Sequence, residues 1–540
     1  MKRFSLPAVR ALSSTELIVI VSVFVALFSN TAFFSSAAKI YSLDAENILF
    51  ILSLFARITA VFIIMLLVVC HKFLVKPVLI VFLLLSSLIT YFMNQYGIIV
   101  DYRMIDNVLE TDFAEVRDLI SFPLVKYVFF LGILPSVLVY RVKLRRPGRK
   151  AEWFSRMKLA GVSVFVIVGV YLAFSAQYAS SFRMQRGLWA QVNPTHAIYS
   201  AGKLVRIAVK STTFPAMIVG ADAKIPERDR DRELIIMVVG ESVRADHFSL
   251  NGYERETNPL LKREKIVNFP DFWSCATTTA QSVPCIFSHY TRGEFDRRKA
   301  KVADNALDIL SRAGVSILWR DNNSSSKGVA DRVTYESFQS PKTNPICDPE
   351  CRDEGMLSGL QNYIDQRPTG DILIVLHQKG NHGPAYYKRY PAAFEKFTPV
   401  CKTSDMGACS NQEVINAYDN VILYTDYFLS RVIKLLKKND EAFETAMVYV
   451  GDHGESLGEN GLYLHALPYF LAPDTQKHVP AVMWFGRNFD RESLAGIEET
   501  RKKRLSHDNM FSTLLGLFEI RSAAYDPKMD ILDHSSPENW

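Results

Sequence analysis

The 540-residue sequence lacks several features that would place it in a familiar class. No internal repeat and no low-complexity tract is visible, which excludes a repeat array or a largely disordered chain. Cysteine is scarce, with seven residues. Only Cys347 and Cys351 are close enough to form half of a zinc–thiolate site, and the second tight couple that such a site needs is missing. No Ser-His-Asp order is evident, so nothing indicates a serine-hydrolase triad.

Charged residues are scarce in five apolar runs within the first third of the chain. Crossing the hydrocarbon core of a bilayer takes about 20 apolar residues. The runs lie near Leu17–Phe34, Ile48–Cys70, Pro77–Tyr96, Phe122–Tyr140 and Leu159–Tyr178. The first run alone would also fit a signal peptide. The four further runs favour five transmembrane helices.

Basic residues are unevenly distributed among the loops of this region. They precede the first run, lie between the second and third, and fill the loop between the fourth and fifth, whereas loop 97–120 is rich in Asp and Glu. Because basic loops stay in the cytoplasm and the number of spans is odd, we expect the chain after Ala179 to lie outside it. The net charge of +6 owes much to the cytoplasmic loops, so we expect no nucleic-acid partner. Arg57, inside the second run, is either functional or a bundle-facing side chain.

Six cysteines lie in the outer part of the chain, which suggests an oxidising compartment. Their number alone does not determine the pairing. Their spacing favours three local bridges, of the kind that persists in the periplasm. The couples are Cys275 with Cys285, Cys347 with Cys351, and Cys401 with Cys409.

From Glu233 onward, predicted strands alternate with predicted helices. The strands are Leu234–Val239, Val315–Trp319, Ile372–Leu376, Ala446–Val450 and Ala481–Phe485, and the helices lie near 303–313, 414–437 and 509–517. This alternation predicts an α/β domain with a mostly parallel sheet between helices. We therefore predict a transmembrane domain at 1–179 with five helices, a connector at 180–231 with amphipathic pieces at the membrane surface, and a periplasmic catalytic domain at 232–540.

Polar clusters follow several of these strands. Glu241 follows the first, His382 follows the third within a Gly-Asn-His-Gly-Pro turn, and Asp452 and His453 follow the fourth. Ligands bind at the carboxyl ends of strands in open α/β sheets. Because zinc takes mixed oxygen and nitrogen ligands, these residues predict a zinc site. The alternative for the Asp-His pair is an ordinary strand-end turn with an Asp cap.

The segment between Cys275 and Cys285 is rich in hydroxyl side chains. A small hydroxyl side chain at a helix start meets free N–H groups and the positive end of the helix dipole, which suits a residue that accepts a phosphoryl group. A metal ion could activate such a hydroxyl group and also neutralise charge on the transferred group. From composition alone, Thr277, Thr278 and Thr279 are rival candidates.

Several motifs together resemble one family. They are Val238–His247, the cysteine-flanked threonines, Trp319–Ser324, His377–Tyr386 and Asp452–His465. With the five spans, they resemble the membrane-bound lipid A phosphoethanolamine transferases, relatives of the mobile colistin-resistance enzymes in the alkaline phosphatase–sulfatase superfamily. The resemblance covers the whole chain and implies an alkaline phosphatase/sulfatase-like outer domain.

The resemblance also implies a role for each candidate residue. The implied zinc ligands are Glu241, Thr279, Asp452 and His453. Thr279 is also the implied nucleophile, one zinc ion is firmly implied, and a second is compatible with the pattern. The residues implied to handle or contact the substrate are His382, His465, Lys327, Asn323 and Glu455. The three cysteine couples match the family's disulfides. Without the resemblance, His382 would read as a loop histidine, His465 as a core histidine and Lys327 as a surface lysine.

The implied reaction transfers phosphoethanolamine from phosphatidylethanolamine to a lipid A phosphate through a phosphoethanolamine-threonine intermediate. The enzyme would act as a monomer in the Gram-negative inner membrane and confer resistance to cationic peptides such as polymyxin. A first alternative is transfer to a lipopolysaccharide core sugar, a protein or a periplasmic glycan. A second is a sulfatase or phosphodiesterase that uses water, although no Cys-x-Pro-x-Arg segment is present to form formylglycine. A third is a sensor with a degenerate site.

Overall fold

The computed structural model describes residues 11–41, 44–71, 73–110, 113–145, 147–211, 215–227, 231–348, 350–490, 494 and 496–532. By their contacts they form two compact units. The membrane unit lies within Met1–Ile105 and Ile120–Val205, and the catalytic unit within Asp106–Leu119 and Arg206–Trp540. The segment Asp106–Leu119 therefore groups with the catalytic unit, although it lies between two apolar runs in the sequence.

The N-terminal part of the chain is helical. Its helices are α1 (Ser14–Phe28), α2 (Thr31–Ile40), α3 (Ala45–Val69), α4 (Val75–Tyr96), α5 (Tyr102–Leu109), α6 (Phe113–Leu119), α7 (Phe122–Tyr127), α8 (Leu134–Arg141), α9 (Arg149–Ala173), α10 (Ser175–Met184), α11 (Arg186–Trp189) and α12 (Thr195–Ser211). A π-helical turn, Val128–Ile133, joins α7 to α8. Within the described residues, four spans are long and apolar enough to cross a membrane, or five if the pair α1–α2 counts as one. The prediction of an apolar helical bundle is confirmed.

Two of these helices differ in detail from the apolar runs. The first run is bent by 53° between α1 and α2. At this break the Asn30 side-chain amide donates hydrogen bonds to the carbonyl oxygens of Val25 and Asn193. Helix α9 begins at Arg149, before the apolar residues start, because a helix can continue through charged residues of good helix propensity.

Arg57 of α3 is surrounded by aromatic rings of the membrane unit. Its guanidinium carbon lies 4.3 Å from the ring centroid of Trp189 and 5.2 Å from that of Phe182. Its Nε donates a 3.1 Å hydrogen bond to the Tyr171 hydroxyl oxygen. Cation–π contacts of this kind are favourable for an arginine in apolar surroundings. The structure thus places Arg57 facing the bundle.

The catalytic unit is built on an eight-stranded, mostly parallel sheet. Its strands are β1 (Glu233–Gly240), β2 (Ile266–Trp273), β3 (Ser316–Asp321), β4 (Thr334–Ser337), β5 (Ile372–His377), β6 (Glu444–Gly451), β9 (His478–Phe485) and β10 (Leu505–Ser506). The order is β10-β2-β9-β6-β1-β5-β3-β4, and β9 runs antiparallel to both β2 and β6. The short strands β7 (Ser456–Leu457) and β8 (Tyr463–Leu464) form a separate hairpin.

The helices of this unit alternate with its strands along the chain, as the pattern predicts. They are α13 (Thr279–Ile286), α14 (Arg297–Val302), α15 (Ala306–Arg312), α16 (Leu360–Asp365), α17 (Asn411–Asn439), α18 (Ile497–Thr500) and α19 (Met510–Gly516). A Ser410–Glu413 capping box starts α17, and buried apolar side chains run along its length. Every residue of the central strand β1 is buried. This burial is expected for a parallel strand covered on both faces.

Candidate active site

Neighbouring strands bring the predicted metal ligands together. Strands β1 and β6 are parallel, with Gly240 paired to Gly451, so the residues that follow each strand emerge side by side. Glu241 follows β1, while Asp452 and His453 follow β6. All three side chains are fully buried, and one ligand atom from each lies within 4.8 Å of the others.

Thr279 joins this cluster as the first residue of α13. Its Oγ1 donates to Glu241 Oε2 at 3.0 Å and lies 3.2 Å from His453 Nε2. The neighbouring hydroxyl groups do not make this contact: Thr277 Oγ1 donates to the Leu467 carbonyl oxygen at 2.7 Å, and Thr278 is the residue before the helix. Of the three rivals, the structure brings Thr279 to the cluster.

The imidazole of His453 is oriented to offer a lone pair. Its Nδ1 lies 2.9 Å from the Gly454 carbonyl oxygen, which can accept only from a protonated nitrogen, so Nε2 faces the cluster unprotonated. Burial, with the neighbouring His465, lowers the pKa of His453 to about 3. The ring is therefore neutral at physiological pH, the form that binds a metal ion.

The cluster contains a buried carboxylate oxygen that accepts no hydrogen bond from the described residues. Asp452 Oδ1 accepts from the backbone N–H groups of Ser242 and His453 at 2.9 and 2.7 Å. The buried Asp452 Oδ2 has no hydrogen-bond partner among the described residues. Burial and the Glu241 carboxylate raise the pKa of Asp452 well above its ordinary value. Two carboxylates, a neutral imidazole and a hydroxyl oxygen converge here, which is a donor set that fits a divalent metal ion.

Two further histidines border the cluster. The His465 ring centroid lies 4.2 Å from that of His453 and 6.3 Å from that of His382. His465 Nδ1 lies 3.3 Å from Oε2 of the buried Glu455. The structure thus brings His382, His465 and Glu455 to the same edge of the sheet as the predicted ligands.

Glycine is required where the His382 loop meets the cluster. Gly380 has a φ of +46°, and a Cβ there would lie 3.0 Å from the Glu241 carbonyl oxygen. This close approach lets the Asn381 N–H donate to the same oxygen at 3.0 Å. The loop is therefore fastened directly to the backbone of Glu241.

Asn323 and Lys327 occupy different surroundings. Asn323 Nδ2 donates to Glu241 Oε2 at 2.7 Å and to the Gln378 carbonyl oxygen at 2.9 Å, so it orients the carboxylate. Lys327 Nζ donates to Ser324 Oγ at 2.5 Å and lines a cavity of about 570 Å³. Its side chain is 3% exposed, so Lys327 is no ordinary surface lysine.

Several buried polar residues near the site were not anticipated from the sequence. Asp353 is buried and accepts from the Lys379 and Gly380 N–H groups at 2.8 and 3.1 Å. Arg389 and Asp118 are likewise buried and form an ion pair at 2.9 Å. No local motif marks these three residues, because their partners are distant in the chain.

The catalytic unit contains three disulfides among its described residues. The bridges are Cys275–Cys285, Cys347–Cys351 and Cys401–Cys409, the local pairing that the spacing favours. The first encloses the threonine segment and has one cysteine within α13. Cys70 is a free, buried cysteine of the membrane unit.

The sheet and its polar carboxyl-end cluster place the catalytic unit in the Sulfatase family, whose profile matches residues 233–520. A second profile, "Phosphoethanolamine transferase EptA/EptB", matches residues 58–209. The chain is 41% identical to the Escherichia coli "Phosphatidylethanolamine transferase Mcr-1" over 95% of this chain and 96% of that protein. It is 37% identical to the "Phosphoethanolamine transferase EptA" of E. coli strain K12, over 94% of each.

A solved structure matches the whole chain. It is the "integral membrane protein lipooligosaccharide phosphoethanolamine transferase A (EptA) from Neisseria meningitidis", with a TM-score of 0.93 and 34% identity over 97% of this chain and 99% of that one. The chain belongs to the phosphoethanolamine transferase family. It is a phosphoethanolamine-transferring enzyme and a multi-pass inner-membrane protein with a periplasmic catalytic domain.

Proposed function

We propose that this enzyme transfers phosphoethanolamine from phosphatidylethanolamine to a phosphate of lipid A, with Thr279 as the covalent carrier. One observation carries the proposal: Thr279 Oγ1 lies within 3.2 Å of both Glu241 Oε2 and His453 Nε2 at the start of a helix. The modified lipid A would bear an added cationic amine. Because its surface charge becomes less negative, cationic peptides such as polymyxins should bind less well.

The cofactor we assign to this site is zinc, held by Glu241, Asp452, His453 and the Thr279 oxygen. When bound, the ion would favour the alkoxide form of Thr279 and offset negative charge on the transferred phosphoryl group. The donor set of oxygen atoms and one imidazole nitrogen supports this assignment.

The residues of the chain prepare the threonine for attack. Glu241 Oε2 accepts the Thr279 hydroxyl hydrogen and is itself oriented by Asn323. The first hydrogen bonds of α13 are donated by the Gln281 and Ser282 N–H groups to the Thr278 carbonyl oxygen, so the Thr279 and Ala280 N–H groups precede the intrahelical bonds. Such N–H groups at a helix start suit phosphoryl oxygens. A helix N-terminus thereby stabilises the negative charge that develops during transfer.

The reaction proceeds in two displacements at phosphorus. In the first, Thr279 releases its proton to solvent, a bond forms between Thr279 Oγ1 and phosphorus while the bond to the diacylglycerol oxygen breaks, and that oxygen takes a proton from His382 or His465. In the second, a lipid A phosphate oxygen attacks the same phosphorus and Thr279 leaves. Thr279 and the histidine then each regain a proton from solvent. The His382 and His465 imidazoles lie beside the cluster, where they can carry out these proton transfers.

Lys327 lines a cavity of about 570 Å³, which Pro284 and Ser288 border near the C-terminal end of α13, away from Thr279 at its start. Its size is typical of small-molecule sites. We assign Lys327 to the phosphoethanolamine group and Glu455, paired with His465, to the acceptor side.

Mass spectrometry of lipid A from cells that express the enzyme tests this function. We expect phosphoethanolamine on lipid A phosphate, its loss with Thr279→Ala, and its retention with the neighbouring Thr278→Ala. Unmodified lipid A together with a modified core sugar would contradict the acceptor assignment. That outcome has a precedent in a relative of 25% identity named "Kdo(2)-lipid A phosphoethanolamine 7''-transferase".

A further inference from the structure

A buried arginine connects the His382 loop to a distant part of the chain. Arg389 Nε donates a 2.8 Å hydrogen bond to the carbonyl oxygen of His382. One terminal nitrogen of its guanidinium group pairs with Asp118 at 2.9 Å, and the other pairs with Glu350. Because the guanidinium is planar and rigid, the direction of the Nε–H bond depends on where the two terminal nitrogens are held.

Asp118 is a buried ionic partner of this arginine. It lies in α6, is 4% exposed, and its second oxygen accepts from Lys388 Nζ at 2.6 Å. Burial raises the pKa of Asp118, but the Arg389 and Lys388 cations outweigh burial and hold that pKa below its ordinary value. The carboxylate is therefore ionised at physiological pH, with a cation on each oxygen.

The partners are far apart in sequence. Asp118 and Arg389 are 271 positions apart, and Asp118 belongs to the chain between the third and fourth apolar runs. Its segment, Asp106–Leu119, nonetheless groups with the catalytic unit. The His382 loop is therefore supported in part by a segment that lies between transmembrane runs in the sequence.

The His382 loop is held at both of its ends. At the start, Asp353 accepts from the Lys379 and Gly380 N–H groups. At His382, the hydrogen bond comes from Arg389. Removing the Asp118 charge would leave Glu350 as the remaining carboxylate on the Arg389 guanidinium, which would rotate toward it and away from the His382 carbonyl oxygen.

We propose that Asp118 is a positioning residue that holds the His382 loop in its transfer-competent geometry by orienting Arg389. The proposal rests on the role assigned to His382 above. It predicts that loss of the Asp118 charge slows transfer without unfolding the catalytic unit, because Arg389 keeps Glu350 as an ionic partner and the remainder of the core is untouched.

The test uses the purified full-length enzyme in detergent micelles with phosphatidylethanolamine as donor. The variants are Asp118→Asn, which keeps shape and removes charge, and Asp118→Glu, which restores the charge. Asp440→Asn is the matched control, because Asp440 is also a buried aspartate paired with an arginine, Arg487, at the opposite end of β6. Two readouts are combined: kcat and KM for transfer, and amide hydrogen exchange along residues 378–390.

We expect Asp118→Asn to lower kcat about 10–100-fold, the range for residues that orient functional side chains, with KM little changed. Exchange should accelerate within the His382 loop only, and Asp118→Glu should recover most of the rate. Wild-type kcat and exchange in Asp118→Asn, or faster exchange across the whole sheet, would overturn the proposal. Thr279→Ala tests the proposed function separately from the role of Asp118. If Thr279→Ala stays active, the proposed function fails. Hydrogen exchange of the His382 loop in Asp118→Asn still decides whether Asp118 positions that loop.

Discussion

The hydroxyl group of Thr279 donates a 3.0 Å hydrogen bond to Glu241, a residue 38 positions earlier in the chain. The contact exists because α13 begins where β1 ends. It places a hydroxyl oxygen at a buried cluster that also contains Asp452 and His453. The cluster therefore forms where the start of α13 meets the ends of β1 and β6.

Metal binding depends on the Glu241 carboxylate. We expect Glu241→Gln to lower bound zinc and transfer activity by about a hundredfold or more, because a charged ligand becomes a neutral amide in a fully buried site. Zinc content by elemental analysis and the transfer rate measure this. Glu336→Gln is a suitable control, since Glu336 pairs with Arg320 on the edge strand β4. Full zinc content in Glu241→Gln would contradict the ligand assignment.

Zinc binding should release protons. Burial and Glu241 raise the pKa of Asp452, so the metal-free site holds a proton that the ion must displace. Affinity should therefore increase as the pH rises and weaken as the pH falls. Calorimetry of zinc binding to the metal-free enzyme, in buffers with different ionisation enthalpies, counts the protons released. A count of zero with a pH-independent affinity would show that Asp452 is not the protonated ligand.

Gly380 should tolerate no side chain. We expect Gly380→Ala to destabilise the catalytic unit by about 2–3 kcal/mol, from a left-handed backbone and a contact with Glu241. Gly359→Ala is the matched control, because Gly359 has a φ of +71° but open space around its Cβ position. It should cost about 1 kcal/mol. Denaturant unfolding of both variants, with their transfer rates, makes the comparison. Equal costs would mean that the Glu241 contact is unimportant.

Glu444 at the start of β6 should make stability depend on pH. Burial, with the nearby Asp231 and Asp490 carboxylates, raises its pKa from 4.5 to about 7. The folded state therefore binds the proton more tightly than the unfolded state, and stability falls as the pH rises from about 4.5 to about 7. Glu444→Gln should raise the free energy of unfolding by about 1–2 kcal/mol at pH 8, allowing for solvent screening, and by nothing at pH 4.5. A gain at the lower pH would contradict the sign.

Much of the site could be predicted because its residues follow buried strands. Leu234–Val239 and Ala446–Val450 are apolar enough to be recognised, and the polar residues behind them are Glu241, Asp452 and His453. That β1 and β6 are neighbours could not be deduced, since strand order depends on contacts between distant residues rather than on local pattern. Strand β2 was missed because polar residues interrupt it and only part of it is buried.

The parts that escaped prediction depend on contacts between distant residues. The bend between α1 and α2 coincides with Asn30, whose side chain donates to the Asn193 carbonyl oxygen. The link from Asp118 to Arg389 joins two segments that carry no recognisable motif. Thr279 was separated from Thr277 and Thr278 by resemblance alone, and its contact with Glu241 now gives a geometric reason for that choice.

The most direct test of the account is the mass of the tryptic peptide that contains Thr279. The full-length enzyme would be incubated with phosphatidylethanolamine without an acceptor, quenched in acid and digested. The account predicts one phosphoethanolamine group on Thr279, absent from Thr279→Ala and lost when lipid A is added before quenching. A group on Thr277 or Thr278, or an unmodified peptide in an enzyme that still transfers, would contradict it.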